Sequence, residues 1–152
     1  MNHNNIEIER KFLVKDDSYK ILSTAQHHIE QGYLCKDPMK TVRIRIQDDC
    51  GFITIKSAAG QNGFSRFEWE REIDLNDAHE LMALALPGKI EKIRYIIPVS
   101  DGLKWEVDEF HGRLEGRVLA EIELPSEQAP FDRLPFLGDE VTGNPAYYNS
   151  NM

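Results

Sequence analysis

Apolar and charged residues alternate at every second position along most of this chain. In the segment 6–12, Glu7, Glu9 and Lys11 share one face, and apolar side chains dominate the other. A period of two is the period of a β-strand whose two faces differ. The same alternation recurs in segments 42–46, 52–56, 66–73, 92–95, 105–108 and 121–124. The pattern therefore predicts at least seven short strands, each with a charged face.

The segments between the strands predict hairpins and a few helices. Turn-rich sequences predict hairpins at 48–51 and at 58–63. Helices are predicted within 17–28 and over 76–86, because capping Asp, Ser or Asn residues stand at the start of each and Pro-Gly follows the second. A third short helix is predicted from Ser126 and a last turn after Pro145. Together these elements predict an α+β fold with a large antiparallel sheet.

The charged faces carry pairs of like sign instead of mixed polar residues. The pairs are Glu7/Glu9, Arg43/Arg45, Glu68/Glu70, Lys92/Arg94, Glu106/Asp108 and Glu121/Glu123. Residues two apart on one strand face lie roughly 7 Å apart, so like charges there repel unless something neutralises them. For any single segment, an ordinary solvated face is the alternative. For all of them together we expect a closed eight-stranded antiparallel β-barrel, a tunnel with basic pairs facing acidic pairs and a few peripheral helices.

Length and composition narrow the class of protein. The chain has 152 residues, a formal net charge of −8 and 41% hydrophobic residues, which fits a single domain spanning 1–152. Net acidity argues against general nucleic-acid binding, which needs a basic surface. No apolar stretch approaches the roughly 20 residues of a membrane helix, and residues 1–11 are polar and charged, so we expect a cytoplasmic protein with no membrane partner.

Such a tunnel would bring basic and acidic side chains together. The basic residues form a site for a highly charged anion, and they are Lys11, Arg43, Arg45, Lys56, Arg66, Lys92 and Arg94. The carboxylates Glu7, Glu9, Glu121 and Glu123 offer the hard oxygen ligands that Mg²⁺ and Mn²⁺ prefer. The chain contains no glycine-rich phosphate loop, so side chains would hold the phosphates. An anion site, a divalent cation and carboxylates together indicate phosphoryl transfer.

Segment 6–14, which contains Glu7, Glu9 and Lys11, resembles the N-terminal ExExK signature of the CYTH domain, the family of triphosphate tunnel metalloenzymes. Further motifs of the family follow in the same order at 31–34, 43–45, 54–56, 66–70, 91–95, 106–108, 121–123 and 138–142. A lone ExExK would fit any amphipathic strand. A series of motifs in family order is specific, and it covers nearly the whole chain.

The resemblance implies an eight-stranded tunnel that binds a triphosphate and hydrolyses or transfers it with Mg²⁺ or Mn²⁺. By position, it implies that Lys11, Arg43, Arg45, Lys56, Lys92 and Arg94 hold the phosphates. It implies that Glu7, Glu9, Glu121 and Glu123 bind metal, with Glu70 and Asp108 at or near the metal site. Arg66, Glu68 and Glu106 would form a supporting shell. One departure is Tyr147-Tyr148-Asn149, where close bacterial relatives often have Tyr-Lys-Asn and a further helix.

The family includes inorganic triphosphatases, thiamine triphosphatases, class IV adenylate cyclases and RNA triphosphatases. This chain looks most like the short bacterial inorganic triphosphatases, which implies hydrolysis of tripolyphosphate to pyrophosphate and phosphate. No set of base and ribose contacts stands out, although Phe64 or Tyr33 at a tunnel mouth could stack on a base. The alternatives are a class IV-type adenylate cyclase, a nucleoside or thiamine triphosphatase, and a non-catalytic polyphosphate or nucleotide binding module. Apolar outer faces are also compatible with a homodimer.

The water that attacks the phosphate could be activated in two ways. Basic neighbours such as Arg94 should depress the pKa of Lys92, and Tyr33 could hold Lys92 by a hydrogen bond, which makes this pair the predicted catalytic residues. The alternative is a water whose pKa the bound cation lowers. In that case Lys92 only binds phosphate and Tyr33 only packs.

Overall fold

The computed structural model describes residues 5–58 and 65–152. The strands are β1 (Ile6–Val14), β2 (Ala25–Asp37), β3 (Lys40–Gln47), β4 (Cys50–Ser57), β5 (Ser65–Ile73), β6 (Ile90–Pro98), β7 (Lys104–His111), β8 (Val118–Glu123) and β9 (Leu137–Glu140). The α-helices are α1 (Tyr19–Leu22) and α2 (Leu75–Met82), and short 3₁₀ turns lie at Ser100–Gly102, Gly112–Leu114, Pro145–Tyr147 and Asn149–Asn151. Within the described ranges, no helix is long and apolar enough to cross a membrane.

The strands form a closed antiparallel barrel. Their order is β5-β4-β3-β2-β6-β7-β8-β1, and β1 pairs with β5 to close the ring of eight. Strand β1 has several partners because its first residues pair with β5, its middle pairs with β8, and its end pairs with β9 outside the ring. The predicted α+β class and the predicted eight-stranded barrel are confirmed, and β9 is an additional strand.

The two larger hydrophobic clusters lie outside the barrel wall, because most of the interior is charged. The larger cluster packs the outward side chains of β1, β6, β7 and β8, among them Phe12 and Trp105, against α1 and the segment 125–136. The Trp105 indole donates to the carbonyl of Asp132 at 2.8 Å and so ties that segment to the wall. The apolar residues that alternate with the charged ones along these strands therefore pack in this outer cluster.

A second cluster forms where α2 packs on the outside of β2, β3 and β4. Ala78 and Met82 of the helix contact Ile44 and its neighbours. Two glycines allow this close approach, because a Cβ at Gly51 would lie 2.5 Å from the Ala78 Cβ, and one at Gly32 would lie 2.8 Å from the Ala85 Cβ. A side chain at either position would push the helix off the barrel.

The helix predictions are partly wrong. The helix predicted within 17–28 is limited to α1, because the chain turns extended at Ser23 and residues 25–31 pair with β6. The helix predicted over 76–86 is α2, which starts one residue earlier and ends at Met82. After Met82 the chain continues in tight turns, and the Leu86 N–H donates to the Tyr33 carbonyl of β2 at 2.8 Å.

The remaining local predictions have mixed outcomes. The hairpin at 48–51 is confirmed, with Asp48 in the left-handed region at φ 52° between β3 and β4. Residue Ser126 begins no helix, and the chain from there to β9 is irregular. The last turn after Pro145 is confirmed as 3₁₀ turns. Most of the predicted turn at 58–63 lies outside the described residues.

Candidate active site

The charged strand faces line two adjoining cavities inside the barrel. The first, called the inner cavity, lies among charged and polar side chains and reaches Tyr148, Asn149 and Ser150 of the C-terminal segment. Of the predicted site residues it contains Glu9, Lys11, Tyr33, Arg43, Lys56, Arg66, Lys92, Arg94 and Glu121. The second, called the acidic cavity, adds Glu7, Arg45, Glu68, Glu70, Glu106 and Glu123. Asp108 is the predicted site residue that lines neither cavity.

The two cavities are parts of one tunnel. Glu9, Arg43, Lys56, Arg94 and Glu121 line both of them and therefore form its middle. They come from β1, β3, β4, β6 and β8, so the alternation of each strand aims one charged side chain at the same point. Cations and carboxylates thus face each other across the tunnel, as expected from the like-charge pairs.

Arg43 and Arg45 form a cationic site with unused donors. The Nε atoms of both are buried and have no hydrogen-bond partner among the described residues. Burial and the guanidinium of Arg43 lower the pKa of Arg45 to about 10. Buried donors without acceptors are costly in the free protein. An anion that supplies oxygen acceptors would satisfy them, since guanidinium matches the geometry of phosphate.

Glu70 contacts both arginines of this pair. Its carboxylate lies 3.3 Å from Arg45 Nη2 and 3.7 Å from Arg43 Nη2. Thr54 holds Glu70 from the next strand by donating its hydroxyl at 2.5 Å. The structure therefore places Glu70 where it orients the two guanidinium groups.

Asp108 lies beneath Lys92 and Arg94 and orients both. Its two oxygens accept from Arg94 Nε at 2.8 Å and Arg94 Nη2 at 2.9 Å, and Lys92 Nζ lies 2.7 Å from Oδ2. Glu106 adds a contact of 3.3 Å to Arg94. Burial lowers the pKa of Lys92 to about 8, an effect that Asp108 opposes and Arg94 reinforces. The depressed pKa agrees in direction with the expectation from sequence.

The expected hydrogen bond between Tyr33 and Lys92 is not formed in this structure. Tyr33 is buried and lines the inner cavity together with Lys92. Among the described residues, the hydrogen-bond acceptors at Lys92 Nζ are Asp108 and Asn149 instead. Tyr33 contributes its ring to the cavity wall, where it lies 5.7 Å from the ammonium of Lys36.

The carboxylates gather at the opposite side of the tunnel. Glu7, Glu68 and Glu123 each offer an oxygen within 4.8 Å of the other two. Lys56 Nζ lies 2.9 Å from Glu7 and 3.5 Å from Glu68. Glu68, predicted as a supporting residue, is therefore a member of the group that could hold a divalent cation.

On the acidic side, burial and neighbouring carboxylates raise the pKa of three carboxyl groups, whereas Lys56 and Lys11 hold those of Glu7 and Glu121 low. Burial, and then the carboxylate of Glu7, raise the pKa of Glu68 to about 7. Burial and the carboxylates of Glu121 and Glu7 raise the pKa of Glu9 well above its usual value, and burial and Glu7 raise that of Glu123. Carboxyl groups crowded in this way favour a bound cation, because it removes their mutual repulsion.

The C-terminal segment packs at the end of the barrel interior away from the acidic cavity. The inward strand faces turn apolar there, and Ile90, Phe110 and Leu119 pack with Tyr147 and Met152. This segment also caps basic residues of the inner cavity. Lys11 Nζ donates to the Tyr147 carbonyl at 2.9 Å, and the Arg66 guanidinium lies 4.5 Å from the Tyr148 ring centroid.

Sequence reasoning missed several residues of the tunnel. Phe52 and Thr54 share the inward parity of Lys56 in β4, so the alternation itself could have identified them. Gln31 lies in the motif at 31–34, but no pattern in the sequence indicated that its amide makes a contact in the tunnel. Asn149 carried no local signal, since its place in the tunnel follows from the path of the C-terminal segment.

A closed antiparallel barrel with opposed basic and acidic interior faces defines a class of tunnel proteins for highly charged ligands. The CYTH domain model matches residues 5–149, and the chain belongs to the CYTH domain family.

Named relatives agree with this family. The chain is 46% identical over 147 residues to an inorganic triphosphatase of Acetivibrio thermocellus, covering 96% of this chain and 92% of the relative. It is 35% identical over 150 residues to an inorganic triphosphatase of Nitrosomonas europaea, covering 96% and 95%. A crystal structure of an inorganic triphosphatase superposes with a TM-score of 0.65 at 34% identity, covering 95% of this chain and 92% of that one.

Proposed function

We propose that this protein hydrolyses inorganic tripolyphosphate to pyrophosphate and phosphate inside the tunnel, with Mg²⁺ or Mn²⁺ as cofactor. The observation that carries the proposal is the pair of buried Arg43 and Arg45 Nε donors without acceptors, in a tunnel whose other wall gathers carboxylates. The two curated relatives named above, both inorganic triphosphatases, support the same substrate.

The carboxylates fit a hard divalent cation. Glu7, Glu68 and Glu123 would hold it, with Glu9 and Glu121 at the middle of the tunnel. Oxygen donors are what Mg²⁺ and Mn²⁺ require. The bound cation would neutralise charge on the phosphate oxygens. The raised pKa values of three carboxyl groups on this side support the assignment, because a bound cation would remove their mutual repulsion.

The basic residues would bind and orient the triphosphate. Lys11, Arg43, Arg45, Lys56, Lys92 and Arg94 line the tunnel and present donors toward its interior. Asp108 and Glu70 would hold Arg94, Lys92 and the arginine pair in place. Phosphoryl transfer needs this positioning and charge stabilisation more than a covalent nucleophile.

Lys92 is our proposed proton acceptor. Its pKa of about 8 leaves a substantial neutral fraction in mildly alkaline solution. A water in the inner cavity would give its proton to Lys92 Nζ and attack the terminal phosphorus. The bond from that phosphorus to the bridging oxygen would break, and pyrophosphate would leave with the electron pair.

The direct test is phosphate release from tripolyphosphate, ATP, GTP and thiamine triphosphate with Mg²⁺ or Mn²⁺, and again in excess chelator. We expect turnover of tripolyphosphate that requires the cation. Full turnover in chelator would remove the metal role. Binding without release of phosphate from any of these compounds would make the protein a binding module.

We expect tripolyphosphate to exceed ATP by at least about tenfold in kcat/KM, which corresponds to ~1.4 kcal/mol. Among the described residues, the tunnel offers many charged groups to a linear polyphosphate and few free aromatic rings to a base. Tyr33 is buried inside the tunnel, and the ring of Phe52 at the acidic cavity is covered by Arg45 at 4.7 Å. Cyclic AMP and pyrophosphate as the main products from ATP would instead favour the cyclase alternative.

Arg45→Ala is expected to lower kcat/KM for tripolyphosphate roughly 100-fold, about 2.7 kcal/mol, which is typical for loss of one positioned charge donor. Arg133→Ala is the matched control, because Arg133 is exposed and lies over the Phe12 ring at 5.0 Å on the outside of the barrel. Steady-state kinetics with both variants check the assignment. Equal losses from the two variants would contradict an inward role for Arg45.

A further inference from the structure

Asn149 connects the C-terminal segment to Lys92. Its Oδ1 accepts from Lys92 Nζ at 2.8 Å and from Gln31 Nε2 at 3.0 Å. Gln31 is 1% exposed, and its Oε1 has no partner among the described residues. The Gln31 amide thus aims its N–H at Asn149 and fixes which way the Asn149 oxygen points. Both contacts join elements that are far apart in the chain.

The backbone around Asn149 is itself held in place. The Tyr147 carbonyl accepts from Lys11 at 2.9 Å, the Tyr148 N–H donates to the Pro145 carbonyl at 3.1 Å, and Arg113 Nη2 donates to the Met152 carbonyl at 2.9 Å. Tyr147 and Met152 pack on the apolar end of the barrel interior. Asn149 is therefore presented to the tunnel from a segment anchored on both sides.

The position of the Lys92 amine depends on this contact. A lysine side chain has four rotatable bonds, and holding it in one position costs conformational entropy. The contact with Asp108 fixes one direction at Nζ, but a single contact leaves the amine free to swing about it, and the same carboxylate also serves Arg94. A second acceptor at Asn149 occupies another of the three tetrahedral positions on Nζ. The remaining position is left for the inner cavity, which Lys92 lines.

We propose that Asn149 is a positioning residue that, with its amide oriented by Gln31, holds the Lys92 amine toward the inner cavity for reaction with substrate. The inference rests on the proposed function for its kinetic consequence. Misplacement of a reacting group by about 1 Å can cost on the order of 100-fold in rate. The effect should therefore appear in kcat more than in KM, since many other cations bind the phosphates.

The kinetic test compares Asn149→Ala with Asn149→Asp and with Asn151→Ala. Asn149→Ala removes the acceptor and should lower kcat for tripolyphosphate about 10- to 100-fold, with KM within about threefold. Asn149→Asp keeps an oxygen acceptor, but its charge raises the pKa of Lys92, so it should recover part of kcat only at higher pH. Asn151→Ala removes a bond within the same segment, from Asn151 Nδ2 to the Pro145 carbonyl at 2.8 Å, and should leave kcat near the wild-type value.

A purely structural role predicts a different pattern. If Asn149 only held the C-terminal segment, Asn149→Ala and Asn151→Ala would act alike, with lower thermal stability or a higher KM. Gln31→Met should also lower kcat, and the double variant Gln31→Met/Asn149→Ala should be no worse than Asn149→Ala, because both residues act through one contact. Additive losses, or unchanged kcat in Asn149→Ala, would overturn the proposal.

A spectroscopic readout separates this inference from the proposed function. At pH 6 the Lys92 ammonium is charged, and a ¹H–¹⁵N correlation of lysine side chains should show it as a slowly exchanging signal that Lys92→Arg removes. Asn149→Ala should shift or broaden that signal, and Asn151→Ala should leave it in place. An absent signal in the wild-type chain, or one unaffected by Asn149→Ala, would contradict positioning by Asn149. Absence of tripolyphosphate hydrolysis by the wild-type chain would defeat only the proposed function.

Discussion

Glu9→Gln and Glu123→Gln are each expected to lose at least about 100-fold in kcat for tripolyphosphate while the barrel stays folded. Both carboxylates line the acidic cavity, and loss of one preorganised electrostatic group in such a site typically costs about 10²–10³ in rate. An amide keeps nearly the same shape and cannot supply the negative charge that a divalent cation requires. Steady-state kinetics over a range of Mg²⁺ and Mn²⁺ concentrations measure the loss.

The same substitutions should not destabilise the metal-free protein. Burial and the carboxylates of Glu121 and Glu7 raise the pKa of Glu9, so ionised Glu9 opposes folding and its amide does not. A carboxyl whose pKa is raised on folding stabilises the fold at low pH and loses that contribution as pH rises. Glu68 in the same cavity illustrates the pH range of this loss, because its pKa is raised from 4.5 to about 7. In chelator at pH 8, Tm of Glu9→Gln should therefore equal or exceed that of wild type.

Addition of a divalent cation should reverse the order of the wild-type and Glu9→Gln Tm values. Wild-type Tm is expected to rise with Mg²⁺ or Mn²⁺, because a ligand that binds only the folded state stabilises it, and the rise should be smaller in Glu9→Gln. Glu72→Gln is the matched control, since Glu72 is an exposed residue of β5 outside both cavities. A Glu9→Gln enzyme with wild-type turnover would remove Glu9 from the site.

Lys92→Arg is expected to lose about 10²–10⁴ in kcat, the usual contribution of a general base, while it still binds tripolyphosphate. Arginine keeps the positive charge but does not deprotonate in this pH range. The wild-type rate should rise as pH passes through about 8, because the neutral amine of Lys92 becomes populated there. The variant should lack this rise.

Kinetics across pH 6–10 and a direct binding measurement check this prediction together. Lys89→Arg is the control, because Lys89 is an exposed residue immediately before β6. If Lys92 only binds phosphate, the wild-type rate should fall as its charge is lost at high pH. Near-normal turnover of Lys92→Arg, with the alkaline rise intact, would show that the attacking water is activated by the cation, which lowers its pKa, and not by Lys92.

The inward positions of the tunnel could be predicted from the sequence because alternation is a local property. A strand places every second side chain on the same face whatever its partners are, so Glu9, Arg43, Lys56 and Arg94 were identifiable as one charged interior. Closure of the sheet followed from charge, since like pairs on successive strands need opposite pairs across a barrel. These residues line the middle of the tunnel in the structure.

Local helix propensity predicted the structure poorly where strand pairing favoured another backbone conformation. Residues 25–28 fit a helix by their local composition, but their backbone pairs with β6. The ladder of backbone hydrogen bonds to β6 outweighs a weak helical preference there, although most of these side chains are exposed. The chain after α2 likewise has a distant partner, because the Leu86 N–H donates to the carbonyl of Tyr33.

The sequence by itself determined the class of fold, the charged interior and most of the residues that line it. Only the tertiary structure decided which charge meets which: Asp108 lies under Lys92 and Arg94, Glu70 on the arginine pair, and Glu68 beside Glu7. It alone also brought Asn149 to Lys92. The physical reason is that a side chain's face follows from parity along one strand, whereas its partners depend on the register between strands and on the path of the C-terminal segment.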